Sequence, residues 1–143
     1  MENKPFIIER TFSAPIDKVW SAITNAEEMK QWYFDLPGFR PEVGYEFTFH
    51  GGKPGEKQFL HVCKITEVIP GKKLTHSWRY PEEFDAVSYV TFELTPEGNQ
   101  TKVKLTHEGL DKFPQDKNFA RHNFEAGWTD IIGRSLKEFV EKD

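Results

Sequence analysis

The sequence has one cysteine, Cys63, in 143 residues. That excludes an internal disulfide and every metal site built on two or more thiolates. No window approaches the roughly 20 apolar residues of a membrane-spanning helix, and the opening MENKPFIIERTF lacks the apolar core of a secretory signal. A cytoplasmic protein is the expectation. Clustered basic charge is missing as well: 19 Lys and Arg stand against 23 Asp and Glu for a net charge of -4, and the longest basic run is Lys72-Lys73. Nucleic acid is thereby excluded as the main partner, because phosphate binding needs a concentrated cationic face. There is no Gly-x-Ser-x-Gly elbow, no Gly-x-Gly-x-x-Gly fingerprint and no phosphate-binding loop; Gly51-Gly52-Lys53-Pro54-Gly55 lacks the spacing and the following helix, and reads as a turn.

What the sequence has in abundance is aromatic bulk. Only 37% of residues are hydrophobic, yet 13 Phe, 4 Trp and 4 Tyr supply much of the apolar volume in a few large rings. A chain of this length buries about two-thirds of its unfolded surface around one core, so residues 1–143 are read as one domain.

Periodicity orders the elements. Phe6 to Ser13 alternates as a strand. Ser13-Ala14-Pro15 then offers a hydroxyl cap and a first-turn proline to a helix carrying Ile16, Val19, Trp20 and Ile23, which runs to about Thr24. Asn25 caps a second short helix through Met29, Trp32 and Tyr33. Tyr45, Phe47 and Phe49 alternate as a second strand that looks like a sheet edge able to pair, which leaves a monomer or a weak homodimer. Strands follow over about 58–68, 73–80, 86–95 and 101–109, joined by the turns Ile69-Pro70-Gly71-Lys72 and Pro96-Glu97-Gly98-Asn99. From about Asp116 to Lys142 the apolar spacing turns helical, with Phe124, Trp128, Ile131, Leu136 and Val140 in a stripe wide enough to cover a sheet. Strand, two helices, five strands and a long helix make an α+β domain.

Three ionisable groups fall in phase with apolar strand faces: Arg10 between Ile8 and Phe12, His76 between Leu74 and Trp78, and His107 after Val103 and Leu105. A single such histidine is most often a core residue bonded to backbone, and Arg10 reaches past the sheet edge to a surface carboxylate on the same reading. Poorly partnered, each costs on the order of 1–3 kcal/mol, so three together point to a paired network or a solvated cavity. Gly127 and Gly133 each cost about 0.8–1 kcal/mol within a helix. Gly127, beside Trp128, leaves room either for a packed ring or for a ligand. His61 and Cys63 share a strand face at a chelating spacing but lack further ligands, His50 and His122 follow no spacing rule, and the pairs Glu27-Glu28 and Glu82-Glu83 sit in solvated contexts. No metal or cofactor is expected.

Several runs together, in order, resemble the activator of heat-shock protein 90 ATPase homologue family: Ser13-Ala14-Pro15 through Val19-Trp20, Thr24-Asn25-Ala26-Glu27 with Trp32, Val68-Ile69-Pro70 leading to Leu74 and Trp78, Val90-Thr91-Phe92-Glu93-Leu94 with Thr101-Lys102-Val103, and Gly127-Trp128 with Leu136. That family belongs to the SRPBCC superfamily, also called START-like or birch-pollen-allergen-like. The resemblance implies a helix-grip fold: a curved six-stranded antiparallel sheet wraps the long C-terminal helix, and the two short helices close one end. It also implies a hydrophobic cavity between sheet and helix for lipids, polyketides or flavonoid-like aromatics. The eukaryotic chaperone activator carries this domain after a separate N-terminal domain that this sequence does not contain, so a chaperone partner is not the leading expectation. No catalytic residue carries over.

The leading expectation is thus a non-catalytic protein for a small apolar or aromatic ligand, lined by His76, Trp78, Phe92, Leu105, His107, Phe124, Trp128 and Ile131. Two alternatives stand beside it. A cyclase-, dehydratase- or hydrolase-type enzyme would use His76 or His107 as general acid-base in the same cavity. A protein-binding module, such as a chaperone cofactor, would instead show a filled, dry core and an exposed apolar patch.

Overall fold

In a computed structural model, described here over residues 4–33, 35–52 and 55–142, the expected order of elements appears. Strand β1 (Phe6–Phe12) is followed by helices α1 (Ile16–Thr24) and α2 (Ala26–Trp32), then β2 (Glu46–Gly51), β3 (Phe59–Ile69), β4 (Lys73–Arg79), β5 (Val87–Glu97) and β6 (Gln100–Glu108). A short 3-10 turn at Leu110–Lys112 leads toward the C-terminal helix, which is α-helical over α3 (Arg121–Asp130), π-helical over Ile131–Leu136 and α-helical again over α4 (Lys137–Val140). The strands form one antiparallel sheet in the order β1-β6-β5-β4-β3-β2. Every pair from β2 to β6 is a sequential neighbour, as short turns between alternating strands require, and β1 joins by setting Ile8 against Leu105 and Phe12 against Thr101.

The buried residues follow the period of two. Ile8 and Phe12, Phe47 and Phe49, Cys63 and Ile65, Leu74, His76 and Trp78, Val90, Phe92 and Leu94, and Val103, Leu105 and His107 are buried on the inner face, and the C-terminal helix buries Phe124, Trp128, Ile132, Leu136 and Val140. This is the α+β helix-grip architecture. A break in register between Ile65 and Glu67 marks a bulge in β3.

Three local details differ from the periodicity. Pro15, rather than Ser13, stands at the N-cap of α1, where its fixed φ of -71° precedes the first helical turn; the Ser13 N–H is donated instead to Glu141 Oε2 at 2.9 Å, tying the start of the chain to its end. The C-terminal helix begins at Arg121, not at Asp116, because the Asp116 carboxylate accepts the N–H groups of Asn118 and Phe119 in a local turn and Gln115 Oε1 accepts that of Arg121. Arg10 is exposed although its strand phase points it at the helix: a Cβ on Gly133 would lie 3.6 Å from Arg10 Nε, so the side chain crosses the open flank of the helix and donates to the Glu9 carbonyl. Asn25, by contrast, caps α2 as its residue type demands, accepting the Glu28 N–H at 3.1 Å.

Candidate functional site

Two spaces lie against the inner face of the sheet, and they differ greatly in size. The inner one, bounded by α1, α2 and strands β2, β4 and β5, has a volume of about 10 Å³, room for a single water. His76 and Phe92 face it. The outer one is a cleft of about 590 Å³ that opens to solvent where β3 and β4 diverge from α3. From the sheet it receives Phe59, His61, Trp78 and Tyr80; from α3 and the segment before it, Phe119, Phe124, Gly127 and Trp128, with Ile131 at the far end. Polar groups of Glu56, Lys57, His122, Asn123 and Asp130 form its rim.

Of the residues expected at a site, Trp78, Phe124, Trp128 and Ile131 therefore stand on the cleft, His76 and Phe92 on the small inner space, and Leu105 and His107 on neither, being fully buried. Phe59, His61, Tyr80 and Phe119 were not among the expected residues. Tyr80 carried a signal, since it continues the alternation Leu74, His76, Trp78; His61 did too, two positions from Cys63 on the inward face. Phe119 comes from an irregular segment that no period marks.

The floor of the cleft is a continuous ring assembly. His61 stacks on Phe49 with centroids 4.4 Å apart and meets Trp78 and Tyr80 edge-on at 5.0 and 4.6 Å. Trp78 lies 5.4 Å from Trp128 across the seam, and Tyr80 4.8 Å from Phe119. Trp78 Nε1 donates to the Tyr80 hydroxyl at 2.9 Å. At Gly127 nothing lies within 4 Å of where a side chain would begin, so the glycine opens the cleft wall rather than admitting a packed ring.

Beneath the cleft, His107 is locked by a chain of hydrogen bonds whose direction follows from the donors available. Indole Nε1–H of Trp128 can only donate, so His107 Nδ1, 3.0 Å away, is the acceptor. Nε2 then carries the proton and donates to Ser88 Oγ at 2.8 Å, and the Ser88 hydroxyl spends its own proton on the Trp78 carbonyl at 2.9 Å. Burial, reinforced by His76, pushes the His107 pKa down to about 3. A second proton on Nδ1 would face the Trp128 N–H, so neutral imidazole is the only form that fits. His76 donates Nδ1–H to the Ser77 carbonyl at 2.9 Å and is pushed down to about 4 by burial. His61, bonded to the Phe59 carbonyl at 2.8 Å, is pushed down to about 4 for the same reason. Burial drives the Cys63 thiol well above its ordinary value, and among the described residues no three His, Cys, Asp or Glu side chains converge as metal ligands. No helix among the described residues is long and apolar enough to cross a membrane.

Solved structures share this fold. Protein MLL2253 from Mesorhizobium loti is 26% identical, with a TM-score of 0.78 over 98% of this chain and 99% of that one. CalU16 from Micromonospora echinospora is 25% identical, with a TM-score of 0.70 over 96% of this chain and 76% of that one. The subunit fold of the Aha1 dimer from Colwellia psychrerythraea, 24% identical, matches with a TM-score of 0.74 over 96% of each chain. No curated protein matches the sequence. The model of the family "Activator of Hsp90 ATPase homolog 1-like protein" matches residues 13–141, from the turn before α1 to the end of the C-terminal helix, and the chain belongs to that family.

Proposed function

We propose that the protein binds a small, mostly apolar, ring-containing molecule in the cleft between β3, β4 and α3, without transforming it. The observation that carries this reading is the cleft of about 590 Å³, floored by aromatic rings and opened by Gly127. Its size and its apolar body with a polar rim match the usual design of small-molecule sites. Trp78, Phe124, Trp128 and Ile131 are the wall residues in this reading, joined by Phe59, His61 and Tyr80; His76, Phe92, Leu105 and His107 support them from within.

The two histidines expected as general acid-base, His76 and His107, are not placed for that role at this site. His107 has both ring nitrogens engaged, and neither His107 nor His76 lines the open cleft, so neither has a proton or a lone pair to offer a molecule bound there. A protein-docking module is less favoured because the exposed large apolar residues among the described ones are few, Ile7, Val43, Ile69 and Tyr89, and none is the cross-strand partner of another. In solution the chain is a monomer or a weak homodimer: β2 is an outer strand with one unpaired edge, and a relative from Colwellia psychrerythraea is a dimer.

Titration of labelled protein with lipophilic aromatics and fatty acids tests the reading. Amide shifts are expected to map to Phe59–His61, Trp78–Tyr80 and 124–131. Gly127→Leu is expected to abolish them while raising helix stability by up to about 1 kcal/mol, since the added side chain enters open space. Shifts that appear elsewhere, or that survive Gly127→Leu unchanged, refute it.

A further inference from the structure

We propose that the Tyr80 hydroxyl is the polar anchor of the cleft and selects ligands that present an uncharged hydrogen-bond acceptor, such as a carbonyl oxygen, at its floor. This rests on the cleft being the ligand site, and it adds which chemistry the site prefers.

Tyr80 is 4% exposed, yet it lines the cleft. Its oxygen is already an acceptor, because Trp78 Nε1–H can only donate and lies 2.9 Å away. The phenolic proton must therefore point elsewhere, and among the described residues no group accepts it. Around it stand rings: His61, Phe119 and Phe113 have centroids within 4.6 to 5.6 Å of the Tyr80 ring. A buried donor with an occupied oxygen and an unused proton, at the bottom of an apolar cleft, is paired only when an occupant brings an acceptor, and an occupant lacking one leaves it unpaired. The donation from Trp78 also polarises the phenol, strengthening its O–H as a donor.

Charge narrows the class. Among the described lining residues the full cation is Lys57, which pairs with Glu83 at 3.4 Å and lies 5.1 Å above the Phe59 ring at the rim. Nothing on the floor compensates a carboxylate, so an anion placed against Tyr80 is desolvated with one hydrogen bond in return. An ammonium gains little from the hydroxyl, which presents its proton to the floor, and the carboxylates of the lining, Glu56 and Asp130, stand at the rim.

Three probes of similar shape separate these possibilities: benzophenone, diphenylmethane and diphenylacetate, which place a carbonyl, a methylene and a carboxylate at the same carbon. With wild-type protein, benzophenone is expected to bind about fivefold more tightly than diphenylmethane, the worth of one net hydrogen bond, and at least about tenfold more tightly than diphenylacetate. Tyr80→Phe is expected to erase the ketone preference, with diphenylmethane binding more tightly than to wild type because no hydroxyl is left unpaired beneath it. Because Tyr80→Phe orphans the Trp78 N–H and can weaken the fold, the carbonyl stretch of bound benzophenone in wild-type protein gives a second reading: a shift to lower frequency than in hexane is expected. Equal binding of ketone and hydrocarbon, tight binding of the carboxylate, or an unshifted carbonyl overturns the anchor while leaving the cleft as a binding site. If none of the probes perturbs cleft resonances, the site reading and the anchor fall together.

Discussion

Mild acid should destabilise this protein before its carboxylates titrate. His61, His76 and His107 are pushed from an ordinary value of 6.5 down to about 4, 4 and 3, chiefly by burial. Each is neutral in the folded chain and free to take a proton in the unfolded one, so the unfolded state binds more protons between the two values. Stability is therefore complete above pH 6.5 and falls as the pH drops toward the folded values. At pH 5.5 each histidine costs a little over ~1 kcal/mol relative to neutral pH, and the three together about 4 kcal/mol, a large share of what holds a domain of this size. The lowered values of Asp130 and Glu141 act in the same direction but at lower pH, leaving the window between 5 and 6.5 to histidine. The assay is urea unfolding at constant ionic strength from pH 7.5 to 5.0, followed by tryptophan fluorescence. Stability is expected to fall by about 4 kcal/mol per pH unit at the acid end of that range. In His107→Gln the amide supplies an acceptor for Trp128 and a donor for Ser88 but does not titrate, and the slope should drop to about 3 kcal/mol per pH unit. A wild-type stability flat between pH 7 and 5.5, or a His107→Gln slope equal to wild type, refutes the locked neutral imidazole.

Further perturbations separate hydrogen bonding from packing. Ser88→Ala removes the acceptor of the His107 proton and the donor to the Trp78 carbonyl with little change of volume, so a loss of about 1–3 kcal/mol in denaturant midpoint experiments is expected; a loss below about 0.5 kcal/mol would show that water replaces the bonds. Gly109→Ala forces a side chain into φ +89° and to 3.2 Å from the Ser88 Cα and the Val87 carbonyl. It should destabilise by more than the roughly 1 kcal/mol that φ alone imposes, measured as a drop in Tm, whereas Gly71→Ala, at φ +77° with open space around it, should lose only the conformational part.

Much of the fold was legible because the rules that make it are local. The alternation of Phe47 and Phe49, of Leu74, His76 and Trp78, and of Val103, Leu105 and His107 names the inward face of each strand, and short Gly- and Pro-containing turns leave sequential pairing as the simple topology. Asn25 predicts its own cap because the bond spans three residues. The apolar period places the start of the C-terminal helix five residues early because Asp116 and Gln115 compete with the helix for its first N–H groups, and nothing in that period registers the competition.

The site divides along the same line. From sequence alone, His76, Trp78 and His107 belong to inward faces, Trp128 belongs to the facing stripe, and Gly127 is a costly helical glycine that needs a reason. Which of them meet a ligand-sized space is decided by how far the C-terminal helix stands from each part of a twisted sheet. Over β5 and β6 the helix packs tightly enough for Trp128 to hydrogen-bond His107, and the space is gone; over β3 and β4 the strands diverge and a cleft remains. Side-chain period fixes the direction in which a residue points. Only the packing of elements distant in sequence fixes what it finds there, and that difference is why His107 reads as a site residue in the sequence and is a buried hydrogen-bond relay in the fold.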